Sequence, residues 1–235
     1  MQINILELIE GAKQATGLTV IIDVFRAFSL ECYLYDKGAL MIYPVGDINE
    51  AYELKKEDES RILVGERGGK ICEGFDYGNS PSQMKDVKLD GKTVIHTTSA
   101  GTQGIVNATQ ATEIITGSLV NAKAVANYIL KKDPKEVSLV CMGNGGVIRA
   151  KEDVLCAEYI KSLVLDQTLE IQESIQRLRE DGGEHFFHSD KQDVFPEEDF
   201  WMCTRHDIFP FILKVKKDEY GKNIVVKEVV IVQNS

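Results

Sequence analysis

Four short stretches of this chain combine carboxylates, arginines, hydroxyls and glycines in ways suited to chemistry on an anion. In "IIDVFRA", Asp23 ends an apolar run and Arg26 follows it closely. A carboxylate there can ligate a metal or act as acid or base, and a guanidinium can grip phosphate oxygens through two parallel N–H bonds. The plainer reading is that the two residues pair, or that Asp23 caps a helix. "ILVGERGGKICEGFDYGNSPSQ" carries Glu66, Arg67, Asn79 and Ser80 among glycines that permit sharp turns and close backbone approach to a ligand. A surface loop would share that composition, but its length and its place directly after an apolar run favour a binding loop. "HTTSAGTQG" offers the hydroxyls of Thr97, Thr98, Ser99 and Thr102 beside the small Ala100 and Gly101. At a helix start these would cradle a phosphate or sulfonate; the alternative is a turn capped by Ser99. The stretch has neither the G-K-[ST] of a Walker A loop nor the G-x-G-x-x-G of a dinucleotide fold. Finally, "CMGNGGVIRAKED" sets Glu152 and Asp153 just beyond a glycine loop. Acids in a first helical turn follow from the helix dipole alone, unless one of them completes a magnesium site.

Other reactive residue types are less telling. His185 and His188 lie three apart in "GGEHFFHSD", where the loop context predicts solvated or partly packed rings rather than a metal pair. His96 sits inside an apolar run and reads as packing, and Cys141 as a buried, inert thiol. The cysteines number five, are scattered and form no C-x-x-C pair, which suits a reducing cytoplasm and supplies neither a disulfide framework nor a zinc site. The net charge of −10 argues against a nucleic-acid surface, so an anionic ligand must meet a local convergence of arginines and N–H groups. "MQINILELIEGAK" lacks the features of a signal peptide, and no run approaches the roughly 18 apolar residues of a membrane span. A cytoplasmic protein without membrane or nucleic-acid partners is expected, with a homodimer left open.

These stretches need elements to hold them. "LTVIIDVF", "ALMIYPV", "RILVGE", "KTVIHTT", "TEIITGS" and "EVSLVCMG" read as buried strands, and "AFSLECYLYDKG", "DINEAYELKKE", "AGTQGIVNA" and "NAKAVANYILKK" as the helices between them. One or two further helices are expected from Glu152 to about Asp181. Such alternation predicts an α/β fold, a mostly parallel sheet with helices on both faces. "FPFILKVKKDEYGKNIVVKEVVIV" predicts antiparallel C-terminal strands, as a hairpin or at an edge. The whole of 1–235 is expected to be one domain, with 182–235 as an extension of it. In open parallel sheets ligands bind beyond the carboxyl ends of strands. All four chemical stretches fall at such ends, which points to one shared site.

Taken in order, "DVFRA", "GERGG", "GFDYGNSP", "HTTSAGT" and "CMGNGG" followed by "KED" resemble the 2-phosphosulfolactate phosphatase family (ComB-like) from about Asp23 to about Glu158. The resemblance implies a ComB-like α/β domain and Mg2+-dependent hydrolysis of a phosphomonoester, in the family's case 2-phosphosulfolactate on the route to coenzyme M. Where the family usually reads T-T-N-G-T, this chain has Ser99-Ala100.

The expected reaction divides the residues by role. Asp23, Arg26 and Glu66 are the candidate catalytic groups. Carboxylates drawn from Asp23, Glu66, Glu152 and Asp153 would hold Mg2+. Arg26 with Thr97, Thr98, Ser99, Gly101 and Thr102 would bind the phosphoryl oxygens. Arg67, Asn79 and Ser80 would hold the substrate's second anionic end. The absence of a D-x-D motif favours an activated water over a covalent Asp23 intermediate. The rival reading is a non-catalytic anion- or nucleotide-binding module, and the carboxylates weigh against it, since like charges repel.

Overall fold

A computed structural model describes residues 1–230 of the chain. In order these form β1 (Gln2–Glu7), α1 (Leu8–Gln14), β2 (Gly17–Ile22), α2 (Ala27–Asp36), β3 (Met41–Pro44), α3 (Ile48–Glu57), β4 (Ile62–Arg67) and the two-residue β5 (Lys70–Ile71). They continue as β6 (Thr93–Thr97), α4 (Gly101–Asn107), β7 (Ala111–Gly117), α5 (Ala122–Lys132), β8 (Glu136–Cys141), α6 (Lys151–Val164) and α7 (Ile171–Glu180). The last are α8 (Glu197–Thr204), β9 (Phe211–Lys217) and β10 (Asn223–Val229). Every expected strand and helix is present, and the Glu152–Asp181 stretch resolves into two helices. β1, α1 and α8 were not foreseen.

Period-two alternation decides which face each strand residue supplies. In β2, Leu18, Val20 and Ile22 enter one core cluster and Ile21 another; in β8, Val137, Leu139 and Cys141 join the first and Val140 the second. Both faces are buried, which is why these strands read as unbroken apolar runs. Helices α5 and α6 pack into the first cluster, and α1, α2 and α4 into the second. Asp47 caps α3 as its sequence suggests, its Oδ1 accepting from the Asn49 N–H at 2.9 Å.

The sheet has ten strands in the order β1-β8-β2-β7-β9-β10-β3-β6-β4-β5. β1, β8, β2 and β7 pair in parallel, as do β3, β6 and β4. The C-terminal strands do form a hairpin, but they sit in the middle of the sheet rather than at an edge. β9 pairs antiparallel with β7, β10 with β9, and β10 with β3. Three successive antiparallel steps mean that the two parallel sets run in opposite directions. In a flat sheet their carboxyl ends would lie at opposite edges. Here the second core cluster joins Ile21 and Val140 of one set to Ile42, Val64 and Val94 of the other, with α2 residues Phe28, Leu30 and Leu34 among them. The sheet therefore curves around α2.

The 182–235 segment is woven into this arrangement through α8, β9 and β10, and its last five residues lie outside the described part. No helix among the described residues is long and apolar enough to cross a membrane.

Candidate active site

The start of α2 is where both sets of strand ends meet. A cavity of about 790 Å³ opens there, lined by Asp23 beyond β2, Glu66 of β4, Thr98 and Ser99 beyond β6, and Gly143 and Gly145 beyond β8. All four chemical stretches thus supply its wall, although they come from strands of two opposed directions.

Three carboxylates dominate one part of it. Asp23 is 5% exposed and caps α2, its Oδ1 accepting from the Ala27 N–H at 3.1 Å. Asp153 is buried in the first turn of α6; its Oδ1 accepts from Val24 N–H at 2.8 Å and its Oδ2 from Gly143 N–H at 2.7 Å. One side chain thereby ties the ends of β2 and β8 to α6. Gly143 has to be glycine, because its φ is +65° and a Cβ would lie 2.1 Å from the Ile148 carbonyl oxygen. Glu152 is also buried and lines the same cavity. None of the three makes an ion pair with a Lys or Arg among the described residues. Burial first, and then repulsion from Asp153 and Glu66, pushes the Asp23 carboxyl up to about 8. Burial with repulsion from Glu152 raises Asp153 to about 8, and burial with repulsion from Asp23 and Glu184 raises Glu152 to about 8.

Glu66 has a different character. Its Oε1 accepts from Ser99 N–H at 2.7 Å, and its Oε2 from Gly69 N–H at 2.6 Å and Ser99 Oγ–H at 3.2 Å. It joins the glycine loop after β4 to the hydroxyl loop after β6. That hydroxyl loop does face Asp23: a Cβ on Gly101 would come within 2.9 Å of Asp23 Oδ2. Its hydroxyls, however, are mostly occupied within the loop. Thr102 Oγ1 accepts from Thr98 N–H and donates to the Thr98 carbonyl, while Thr98 Oγ1 accepts from Thr102 N–H. Thr97 Oγ1 accepts from Arg67 Nη2 at 2.7 Å. Thr98, Ser99 and Ala100 line the cavity, whereas Thr97, Gly101 and Thr102 stand behind them. The hydroxyls build the loop more than they offer donors to a ligand.

The arginines are placed differently from the sequence reading. Arg26 does not pair with Asp23. Its Nη1 donates to Asp199 Oδ2 at 2.7 Å and to the Val194 carbonyl at 2.8 Å, with the two side chains 4% and 0% exposed. Asp199 Oδ1 also accepts from Ser80 Oγ–H at 2.9 Å and Ser82 N–H at 2.8 Å. Ser80 is thus part of a buried clasp and not of the cavity wall, which Arg26 and Asn79 do reach. Arg67 is not on the wall either: it donates to the carbonyls of Glu66 and Gly46 and to Thr97. Asn79 keeps one buried amide oxygen, Oδ1, without a hydrogen-bond partner.

Several wall residues were not singled out for the site. Phe195 and His185 come from the segment after α7, Arg149 from the loop before α6, and Lys151 from the first position of α6. Asp199, which holds Arg26, sits in "FPEEDFW", where acids in the first turn of a helix follow from the helix dipole alone. The thiols are as expected: all five cysteines are free and buried, and burial raises Cys141 well above its usual value.

The residues fit a divalent cation. Three carboxyl groups buried in one cavity stay neutral there by holding protons, and a divalent cation would take the place of those protons on the same oxygens. No group of three His, Cys, Asp or Glu side chains forms a ready-made metal cluster among the described residues. Mg2+ does not need one, since it commonly takes one or two protein carboxylates and fills its shell with water and phosphate oxygens. Asp23 and Glu152 would be best placed to hold it, because both Asp153 oxygens already accept backbone N–H groups and the Glu66 oxygens accept two backbone N–H groups and the Ser99 hydroxyl.

Comparison with known proteins bears on the same residues. The family model described as 2-phosphosulpholactate phosphatase matches residues 3–218, which includes every cavity residue named above. The chain is 43% identical over 151 residues to a probable 2-phosphosulfolactate phosphatase of Caldicellulosiruptor saccharolyticus, covering 63% of this chain and 62% of that protein. It is 33% identical over 198 residues to a protein of the same description from Thermotoga petrophila, covering 81% and 85%. To one from Bacillus subtilis it is 30% identical over 217 residues, covering 91% and 92%. From β1 through β9, site included, the chain belongs to the 2-phosphosulpholactate phosphatase family.

Proposed function

We propose that this chain is a phosphoric monoester hydrolase acting on a small acidic phosphomonoester, 2-phosphosulfolactate or a related 2-phospho hydroxy acid, with Mg2+. The observation that carries this reading is the trio Asp23, Glu152 and Asp153, buried in one cavity with no ion pair to a Lys or Arg among the described residues, and with Arg26 on the same wall. An anion-binding module would gain nothing from such acids, whereas a metal-dependent phosphatase requires them. The relatives' names supply the substrate class.

In this reading Asp23 and Glu152 hold the ion, which when bound neutralises the phosphoryl charge and polarises the phosphorus centre. Asp153 keeps the ends of β2 and β8 and the start of α6 in register. Arg26, fixed by Asp199, turns the rest of its guanidinium to the phosphoryl oxygens; its rigidity means little reorganisation as charge shifts in the transition state. The Glu66–Ser99 link holds the two loops together at the cavity wall. Water adds to phosphorus, the ester P–O bond breaks, and the leaving oxygen takes a proton, giving inorganic phosphate and a hydroxy acid. A cavity of about 790 Å³ suits a small substrate.

Phosphate release is the test, measured on a panel of acidic phosphomonoesters with Mg2+ and with chelator. Turnover only in the presence of the metal is expected. Equal turnover in both conditions, or none on any substrate while the panel's anions still bind, would leave a binding module instead.

A further inference from the structure

His185 is a half-buried imidazole on the cavity wall, and no part of the proposed machinery uses it. Its ring is held between two aromatic neighbours, Phe186 at 4.3 Å and Phe195 at 4.8 Å between centroids. Phe195 also lies 5.0 Å beneath the Arg26 guanidinium, so Arg26 and His185 share one aromatic support. Neither ring nitrogen of His185 hydrogen-bonds to the protein among the described residues, and the ring is partly exposed. Burial and the nearby Arg26 charge hold its pKa below the ordinary value, leaving a neutral ring with one N–H donor and one acceptor. A second group in the same cavity is also unpaired: the buried Asn79 Oδ1. An unpaired imidazole and an unpaired amide acceptor on one cavity wall mark a place for a polar part of a ligand.

The phosphoryl group does not need this place, because it must lie near Asp23 and Glu152 and the cation they would hold. A second acidic group on the same substrate falls on the wall that the phosphoryl group leaves free, where the unpaired His185 ring offers a donor. We infer that His185 is a substrate-contacting specificity residue, donating its N–H to the carboxylate or sulfonate beside the phosphoester, with Asn79 accepting from a donor on the substrate or its water. The inference rests on the phosphatase reading and deepens it.

The test compares the wild type with His185→Phe, which keeps an aromatic ring among aromatic neighbours, and His185→Gln, which keeps a donor. 2-Phosphosulfolactate and isopropyl phosphate serve as substrates, since the second lacks any further acidic group. A lost hydrogen bond to a charged group predicts a KM for 2-phosphosulfolactate raised about 10- to 100-fold in His185→Phe, with kcat little changed and isopropyl phosphate unaffected. His185→Gln should recover part of the loss. A fall in kcat at constant KM, or equal effects on both substrates, would overturn the assignment. A second measurement does not depend on turnover. The chain has four histidines, and the His185 ring resonance, identified by its loss in His185→Gln, should shift when sulfolactate is added with Mg2+. An unshifted resonance refutes the contact. If the wild type releases no phosphate from any substrate, the phosphatase reading fails, and the ring shift still decides whether His185 touches the acid.

Discussion

Substituting Asp199 should be far more damaging than its place in a short acidic run suggests. Asp199 is fully buried and accepts from Arg26, Ser80 and the Ser82 N–H, so it joins the start of α2, the turn at Pro81–Met84 and α8. Asp199→Ala leaves the Arg26 guanidinium buried with only the Val194 carbonyl as protein partner. Removing one member of a buried ion pair costs about 3–5 kcal/mol, which for a chain of this size is a fall of about 6–20 °C in the midpoint of thermal unfolding. Against a total stability of about 5–15 kcal/mol, Asp199→Ala therefore folds marginally. Asp199→Asn keeps the shape and one acceptor for Ser80 and Ser82, and should lose less. The decisive comparison adds Arg26→Ala. With both charges gone no buried charge is stranded, so the double variant should be more stable than the sum of the single losses predicts, by at least about 1 kcal/mol. Denaturant unfolding of all four proteins gives the cycle. Strict additivity, or an Asp199→Ala loss below about 1 kcal/mol, would refute the clasp.

Arg67→Ala should lower thermal stability while leaving KM near the wild-type value well below the unfolding midpoint, because Arg67 braces the carbonyls of Gly46 and Glu66 and the Thr97 hydroxyl away from the cavity; a KM rise with stability intact would return it to the substrate. Glu152→Gln should abolish metal-dependent turnover yet leave the chelated protein at least as stable as wild type near pH 9, since it removes a buried charge. Asp23 and Asp153 are raised from 3.8, and Glu152 from 4.5, to about 8, so the folded chain holds protons that the unfolded chain releases. Their contribution to stability is full below about pH 4 and is lost as pH rises through about 8. In chelator, the thermal midpoint should accordingly fall between pH 5 and 9, and Mg2+ should remove much of that fall; a midpoint that rises over this range contradicts the buried trio.

Much of the architecture is written in local patterns. The alternation of Leu18, Val20 and Ile22 with Ile21, and the cap at Asp47, announce β2 and α3 without help from the rest of the chain. The nearness of Asp23 to Gly143, and of Glu66 to Ser99, follows from their position at the ends of parallel strands of one set, but that the two pairs meet does not. What local pattern cannot carry is pairing over long distances. β9 and β10 look like an edge hairpin, because nothing in their residues says that they separate two opposed parallel sets. Asp199 and Arg26 are 173 residues apart, and neither names the other. Arg67 beside Glu66 suggests a substrate grip until the fold shows which carbonyls it meets. Thr97 and Thr102 look like ligand donors because a hydroxyl's partner is set by loop geometry and not by residue type. His185 reads as loop packing because its aromatic neighbours are local, while Arg26 and the rest of the cavity wall are distant in sequence.

The central claim is that the buried carboxylates form a cation site, and calorimetric titration of Mg2+ tests it most directly. Asp23→Asn is the right control, because Asp23 accepts only the Ala27 N–H, whereas changing Asp153 would also release two strand ends. Titration near pH 7 in two buffers of different ionisation enthalpy reports protons released on binding. Carboxyls held near 8 are largely protonated at that pH and must lose protons to take a cation. The expected result is one Mg2+ per chain, bound with net proton release, and both signals lost or strongly weakened in Asp23→Asn. Absence of Mg2+ binding by the wild type, or binding without proton release that survives Asp23→Asn, would contradict the account.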